Sequence, residues 1–161
     1  MGTERQMIER DRHDADDKAC LLEPQPVTAG TLNTDTIYAR GFEKVLFCIL
    51  GGAASGADGT LDIVVHQCTA VNNGNTDAKH LAGLYGSKAI THITSGAYYA
   101  TLNQKWLIEV DVEEMDVDAH FDYLFLEIIT TNRDWLLAVE AVRSVASYEP
   151  VAQTYITEVV A

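Results

Sequence analysis

Two side chains that are able to bind a metal ion lie on one face of a predicted strand. His66 and Cys68 are two residues apart in the segment 61–68, and alternate residues of a strand point to the same side. A zinc site needs about four ligands, usually with a second closely spaced pair. The other histidines are scattered, and the sequence has neither C-x-x-C nor H-x-x-x-H. We therefore expect His66 and Cys68 to be structural, and we predict no metal ion and no other cofactor.

The densest group of acidic residues lies in the C-terminal half of the chain. From Glu109 to Asp122 there are seven acidic residues and no basic one. Calcium is bound by six to eight oxygen atoms, so this segment could hold Ca²⁺, although the EF-hand pattern fails because its glycine and closing glutamate are missing. The same carboxylates could instead form a solvated loop between two strands, or a docking surface for a basic partner. Nothing selects two of them as the acid pair of a glycosidase.

A glycine-rich segment follows an apolar one at residues 51–56, where a phosphate-binding loop would be expected. In a P-loop, lysine and then serine or threonine follow the second glycine and contact the phosphates and Mg²⁺. Here Ala57 and Asp58 occupy those positions, and the carboxylate of Asp58 would repel a phosphate. The pattern is instead typical of a β-hairpin with a long loop, which joins a strand at 45–50 to a strand at 61–68.

Nucleophilic catalysis is not indicated either. The sequence contains no G-x-S-x-G motif, which positions the serine of α/β-hydrolases, and no cysteine or serine stands in recognisable context with histidine and aspartate. Three cysteines are an odd and sparse set, unlike a secreted disulfide framework. We therefore predict a protein that is not an enzyme and whose thiols are reduced and buried.

The segments that carry these residues are predicted to be short strands. Apolar runs or alternating patterns rich in β-branched and aromatic residues occur at 45–50, 61–68, 89–94, 105–110 and 121–129. In the fourth segment, Trp106, Ile108 and Val110 are expected to face the core. Several short strands at this spacing indicate an all-β protein, either a sandwich or a barrel.

The segment 135–147 is ambiguous, because its apolar residues fit a helical stripe as well as one face of a strand. Leucine, alanine and glutamate favour a helix by intrinsic propensity. The segment nevertheless follows a sharp turn after a long strand and ends before a Tyr-Glu-Pro sequence. We therefore predict a strand here.

Composition places the chain among globular, acidic proteins. It has 161 residues, 47% of them hydrophobic, and 24 acidic residues against 11 basic ones give a net charge of −13. Nucleic-acid affinity comes largely from lysine and arginine, and anionic membranes attract basic segments, so neither partner is expected.

The start of the chain lacks the apolar region of a signal peptide, and the longest apolar run, 45–54, is too short to span a bilayer. We expect a protein made in the cytoplasm or carried in a particle assembled there.

Residues 1–18 differ from the rest of the chain because most of them are charged or polar. They include ten charged side chains and only three large apolar ones, too few to offset the entropy cost of ordering the segment alone. We therefore predict an extended N-terminal arm over 1–18, either mobile or lying on a partner, and a single β-sandwich domain over 19–161. The candidate partner contacts within the arm are Arg5, Met7, Ile8, Arg10 and Arg12.

Six short motifs are spaced along the body of the chain. They are D-G-T-L at 58–61, Q-C-T at 67–69, A-K-H-L at 78–81, K-A-I-T at 88–91, E-M-D-V at 114–117 and F-D-Y-L at 121–124. In this order, with an asparagine- and glycine-rich turn after the second motif and Tyr-Glu-Pro at the end, they resemble the small virion structural proteins of tailed bacteriophages. The resemblance covers roughly residues 35–150 and is to head decoration and auxiliary proteins.

This resemblance implies an all-β virion subunit, an antiparallel β-sandwich or jelly-roll-like fold, with no catalytic residues to carry over. The predicted function is that of a capsid decoration or cement protein, which binds and stabilises the lattice of the major capsid protein and also contacts copies of itself, as a trimer. One alternative is a head–tail connector or tail accessory protein. Another is a carbohydrate-binding module for host attachment, in which Trp106 and Trp135 would stack on a sugar. The expected location is the capsid surface of a particle assembled in bacterial cytoplasm.

Overall fold

The computed structural model describes residues 18–56, 58–71, 77–83, 86–94, 104–144 and 158–160, and strands dominate this part of the chain. The strands are β1 (Lys18–Val27), β2 (Gly30–Asn33), β3 (Ile37–Tyr38), β4 (Lys44–Ala54), β5 (Thr60–Cys68), β6 (Lys79–His80), β7 (Ala82–Gly83), β8 (Gly86–Ser87), β9 (Ala89–Thr94), β10 (Gln104–Asp111), β11 (Tyr123–Thr131), β12 (Trp135–Ser144) and β13 (Glu158–Val160). Two 3₁₀ turns, Val112–Glu114 and Val117–Ala119, connect β10 to β11. Within the described ranges there is no α-helix, and hence no helix long and apolar enough to cross a membrane.

The strands form two main sheets. Sheet A has the order β1-β12-β4-β10-β13 and is antiparallel except for β13, which runs parallel to β10. In sheet B, β11 lies between β5 on one side and β2 with β3 on the other, and the far side of β5 pairs with β6 and β9. β7 and β8 form a separate two-stranded sheet. The inward faces of sheets A and B share one apolar core, so the domain is a sandwich.

The long-range strand pairings are nested within one another. β1 pairs with β12, β2 with β11, β4 with β10 and β5 with β9, and each pair is antiparallel. The chain is therefore arranged as one long hairpin whose two arms fold together around the core, which is the arrangement of a jelly roll. The prediction of an all-β antiparallel sandwich of this type is confirmed.

The predicted hairpin between 45–50 and 61–68 is wrong. Both segments are strands, but β4 belongs to sheet A and β5 to sheet B. Leu50 is paired with residues of β10 and β12, whereas Leu61 is paired with residues of β11 and β9. β4 also continues through Gly51 and Gly52 to Ala54, so the first four residues of the predicted loop belong to a strand. A periodic pattern identifies a strand but not its partner, and this connection crosses between the sheets.

The core is built from the inward-facing residues of both sheets. The largest fully buried side chains are Trp106, Trp135, Phe47, Ile49, Leu61, Ile63, Leu81, Ile90, Ile108, Leu124, Leu126 and Ile128. Burying a large aliphatic or aromatic side chain contributes about 1.5–3 kcal/mol. Trp106, Ile108 and Val110 all face this core, as the alternation along β10 predicts.

The ambiguous segment 135–147 is a strand over Trp135–Ser144, as predicted. Trp135, Leu137, Val139 and Ala141 are buried, and Leu136 and Glu140 between them are exposed. β12 lies between β1 and β4, and this central position overrides the helical propensity of its leucine and alanine residues.

β1 is an edge strand, and its sequence suits that position. Pro24 and Pro26 have no N–H to donate, which is tolerated at the edge of a sheet. The pairing of β1 with β12 shifts register on both sides of Leu22. The edge position also leaves Cys20 exposed, so the expectation of buried thiols is wrong for this residue, whereas Cys68 is buried and Cys48 half-buried.

Candidate functional site

The outward face of sheet A carries an apolar patch that no other described residue covers. Leu50 of β4 and Leu136 of β12 are 43% and 47% exposed, and Ala138 is paired directly with Leu50. With Pro24 and Gly52 they line a shallow groove of about 280 Å³. We call these five residues the sheet A patch. Exposed apolar side chains grouped on a flat face are the kind of surface that protein partners contact.

Beside the sheet A patch, a thiol lies near two opposite charges. Cys48 of β4 is half-buried and interacts with Lys105 of β10 and with Glu140 of β12. Burial raises the pKa of the Cys48 thiol, against the lowering effect of the Lys105 charge. The thiol is therefore protonated at neutral pH and is not an activated nucleophile.

The acidic residues at 109–122 do not converge on one point. Five of the seven form ion pairs with bases from other elements, namely Glu109 and Asp111 with Lys44, Glu114 with Lys88, Asp116 with Lys79, and Asp122 with Arg40. The Lys44 ammonium lies 2.7 Å from Glu109 and 3.4 Å from Asp111. Its hydrogen bond to Glu109 raises the pKa of Lys44. Because separate bases neutralise these carboxylates, the geometry favours a structural role for them over a calcium site.

Asp58, at the position where a phosphate-binding loop has serine or threonine, has a structural partner. Its carboxylate forms an ion pair with Arg133, and the hydrogen bond from Arg133 lowers the pKa of Asp58. The pair joins the β4–β5 connection to the β11–β12 connection. This arrangement supports the conclusion that the glycine-rich segment does not bind phosphate.

A compact group of possible metal ligands lies on the outward face of sheet B. His66 of β5 is directly opposite His80 of β6, and their ring centroids are 4.4 Å apart. The Nε2 atom of His66 lies 3.1 Å from Oε2 of Glu127 on β11, and Phe125 stacks on the His66 ring at a centroid distance of 5.1 Å. One ligand atom from each of His66, His80 and Glu127 lies within 4.8 Å of the other two.

The surroundings of His66 favour its neutral form. The residue is only 8% exposed. Burial lowers the pKa of His66; the Glu127 carboxylate opposes this shift, and a charge on His80 adds to it. The neutral imidazole is the form that binds metal ions.

Cys68 shares the outward face with His66 but does not join this group. Its thiol donates a hydrogen bond to the carbonyl oxygen of Ala70 at 3.4 Å. Sequence reasoning missed His80 and Glu127 because neither stands in a local pattern. β6 has only two residues, and Glu127 reaches His66 only through the pairing of β11 with β5.

The remaining residues singled out from the sequence do not form a described site. Trp106 and Trp135 are fully buried and therefore unable to stack on a sugar. The candidate arm contacts Arg5, Met7, Ile8, Arg10 and Arg12 lie outside the described residues, as does the arm itself except for Lys18, the first residue of β1.

The protein is similar to known proteins in structure but not in sequence. No family model and no curated protein matches the chain, whereas 14 chains of solved structures do. A chain of infectious bursal disease virus, Gx strain, has a TM-score of 0.43 and 11% identity over 83% of this chain and 33% of its own length. A chain from the VP2 subviral particle of that virus has a TM-score of 0.42 and 11% identity, over 79% of this chain and 32% of its own length.

A third similar chain comes from the naturally occurring empty particles of cowpea mosaic virus. Its TM-score is 0.38 and its identity 10%, over 87% of this chain and 92% of its own length. The protein thus spans about a third of the length of the bursal disease virus chains and most of the cowpea mosaic virus chain. At these TM-scores the similarities assign no function.

Proposed function

We propose that this chain is a structural protein of a virus particle, located on the capsid surface of a tailed bacteriophage. The observation that carries the proposal is the nested pairing of β1 with β12, β2 with β11, β4 with β10 and β5 with β9. The two-sheet jelly roll that results is an architecture of viral capsid domains. Fold alone does not define a function, but the motifs at 58–124 resemble head decoration and auxiliary proteins independently of it.

Within the particle, the proposed role is that of a decoration or cement protein that binds and stabilises the lattice of the major capsid protein. Apolar side chains fill the interior of the sandwich, so the surfaces available for function are external. Repetition of one contact over a lattice gives strong overall binding even where each contact is modest. The net charge of −13 suits the outside of a shell better than its DNA-facing side, where phosphates would be repelled.

The sheet A patch is the proposed contact surface for the coat subunit. Leu50 and Leu136 supply the apolar centre, and the exposed carboxylate of Glu140 lies on the same face. The complementary coat surface is an apolar one with a basic group opposite Glu140 and an acidic group opposite Lys105, since opposite charges at the edge of an interface orient the partners.

The N-terminal arm is the second proposed contact. Arg5, Arg10 and Arg12 would pair with acidic coat residues, and Met7 and Ile8 would enter a groove on a neighbouring subunit. An arm that orders on its partner adds contact area while it tolerates changes in shell curvature. Self-association as a trimer completes the proposal, which involves neither nucleic acid nor a membrane.

Two other roles differ in what they require of the protein. A head–tail connector or tail accessory protein would use similar external surfaces, and the number of copies per particle distinguishes it. A carbohydrate-binding module needs exposed aromatic side chains for sugar stacking, and the burial of Trp106 and Trp135 removes the two tryptophans that could have supplied them.

The first experiment measures the ratio of this chain to the coat protein in purified virus particles by quantitative mass spectrometry. A decoration protein follows the coat lattice and is present in fixed proportion to the coat subunit, whereas a connector is present as one ring per particle. A ring-sized number, or absence from the particle, would contradict the decoration role. Light scattering on the purified chain tests the trimer separately.

The second experiment measures rebinding of variants to heads that lack the protein. Leu136→Glu places a charge in the sheet A patch and is expected to lower occupancy, while Thr31→Glu, on an exposed position of sheet B, serves as the matched control. Deletion of residues 1–18 is expected to lower occupancy as well. Unchanged occupancy for either change would remove that surface from the proposal.

A further inference from the structure

The geometry points to a binding site for one divalent transition-metal ion of the zinc type, formed by His66, His80 and Glu127 on the outward face of sheet B. This inference does not depend on the proposed function. It rests on the strand pairing, the distances between ligand atoms and the chemistry of the three side chains.

Strand pairing brings the three residues together from distant parts of the chain. β5 lies between β6 and β11. His80 is the cross-strand partner of His66 on one side. On the other side Phe125 is paired with His66 and Glu127 with Val64, so Glu127 is a diagonal neighbour of His66 on the same face. Each ligand is thus held by a different strand of a hydrogen-bonded sheet.

The distances between the ligand atoms are close to those of a tetrahedral site. With metal–ligand bonds of about 2.0–2.2 Å, two ligand atoms of a tetrahedral zinc ion lie roughly 3.3 Å apart. Nε2 of His66 and Oε2 of Glu127 are separated by 3.1 Å, and all three ligand atoms lie within 4.8 Å of one another. Closure of the site therefore requires a shift of roughly 1.5 Å at most. The exposed His80 side chain is free to make this movement.

The donor set selects the class of metal ion. Two imidazoles and one carboxylate suit Zn²⁺, Ni²⁺, Cu²⁺ or Fe²⁺, whereas Mg²⁺ and Ca²⁺ prefer ligand sets made only of oxygen atoms. Three protein ligands leave one position of a tetrahedral zinc ion for water. The exposure of His80 leaves the group accessible to water.

Nε2 is the ring nitrogen of His66 that is available to an ion. It faces Oε2 of Glu127 at 3.1 Å, whereas Nδ1 is buried and has no hydrogen-bond partner among the described residues. A metal ion at Nε2 would connect His66 to both neighbouring strands. It would fix β6, a strand of only two residues, against the centre of sheet B.

The test is calorimetric titration of the chelator-treated protein with ZnCl₂, in a Cys20→Ser background that removes the exposed thiol. We expect one Zn²⁺ per chain and a rise in the unfolding temperature that saturates at one equivalent. His80→Asn and Glu127→Gln should each lower the affinity at least about tenfold. Both replaced side chains are at least partly exposed, so folding should survive, and circular dichroism checks this.

Three controls separate the site from non-specific binding. His120→Asn replaces an exposed histidine that has a positive φ. Asparagine tolerates this backbone conformation, so the variant should bind Zn²⁺ with unchanged affinity. Cys68→Ala should also leave it unchanged, and MgCl₂ should give no saturable heat. The inference is overturned if Zn²⁺ shows no stoichiometric binding, if the His80 and Glu127 variants bind as the parent protein does, or if Mg²⁺ binds equally well.

Discussion

The ammonium group of Lys88 lies 3.2 Å from a carboxylate oxygen of Glu114, and the two side chains are only 5% and 3% exposed. Lys88 directly precedes β9 of sheet B, and Glu114 belongs to the 3₁₀ turn that follows β10 of sheet A. The ion pair therefore joins the two layers of the sandwich at one end. A buried charge that loses its partner is far more costly than an exposed one, because water cannot replace the lost interaction.

Removal of one member of this pair should destabilise the protein strongly. Lys88→Met leaves the Glu114 carboxylate buried without this ammonium group, and we expect the free energy of unfolding to fall by about 3–5 kcal/mol. The double variant Lys88→Met/Glu114→Leu should recover most of the loss. Lys79→Met, which breaks an exposed pair with Asp116, should cost less than about 1 kcal/mol. Urea unfolding of the four proteins checks the prediction, and equal losses in the single variants at 88 and 79 would contradict it.

Gly51 allows Trp106 to pack against the backbone of β4. A Cβ atom at Gly51 would lie 2.6 Å from the Cη2 atom of the fully buried Trp106. Gly51→Ala should therefore lower the free energy of unfolding by about 1–3 kcal/mol, the usual cost of overpacking. At the neighbouring Gly52 a Cβ would lie 2.9 Å from the end of the Leu136 side chain, which is exposed and able to move.

Gly52→Ala is accordingly the matched control and should have the smaller effect in thermal unfolding. The tryptophan fluorescence of Gly51→Ala should also shift, since a displaced Trp106 changes its surroundings. If Gly51→Ala lowered the unfolding temperature less than Gly52→Ala does, Trp106 would not depend on the space beside Gly51.

The three thiols should differ in reactivity according to their position. Cys20 is exposed and should react first with iodoacetamide. Cys48 should react slowly, because it is half-buried and burial raises its pKa, so that little thiolate is present at neutral pH. Cys68 is completely buried and should react only after unfolding. Peptide mass spectrometry of timed samples checks this order, and labelling of Cys68 before Cys48 in the folded protein would contradict the described packing.

The ion pair of Lys44 with Glu109 should lose its stabilising effect at high pH. The hydrogen bond to Glu109 raises the pKa of Lys44 above its ordinary value of 10.5. The folded state thus holds this proton more tightly than the unfolded state does. The contribution is fully present below the ordinary value and is lost as the pH rises through the higher pKa of the folded protein.

The measurement is the difference in unfolding temperature between the parent protein and Lys44→Gln over a range of pH. We expect the parent to be the more stable at neutral pH, with a difference that shrinks only above pH 10.5. If the difference in unfolding temperature already disappeared between neutral pH and pH 10.5, the charge of Lys44 would not be the source of the added stability.

The type of fold could be predicted from the sequence because each strand carries its own pattern. Alternation placed Trp106 and Ile108 in the core correctly, and the sharp turn before Trp135 identified β12 in spite of its helical propensity. The partners of the strands could not be predicted in this way. Val45–Leu50 and Leu61–Cys68 look like a hairpin locally, but the nested topology places them in different sheets.

The candidate sites show the same division between local and long-range information. The position of His66 on an outward strand face was evident. Its partners are a directly paired residue 14 positions away and a diagonal neighbour 61 positions away, on two other strands. The acidic run was equally evident, and the bases that neutralise it come from distant elements, as in the pair of Lys44 with Glu109, 65 residues apart. The type of each side chain can be read from the sequence, whereas the formation of a site depends on which strands pair in the folded protein.

The nested pairing has a consequence for how the protein is made. Lys18 at the start of β1 pairs with Val142 near the end of β12, so sheet A cannot close before almost the whole of this stretch has left the ribosome. β4 has no antiparallel neighbour until β10 has been made, and it gains its second neighbour only with β12. Proteins dominated by such distant contacts fold slowly and are prone to aggregate while they do so. Co-expression of a chaperone should therefore raise the soluble yield of this protein.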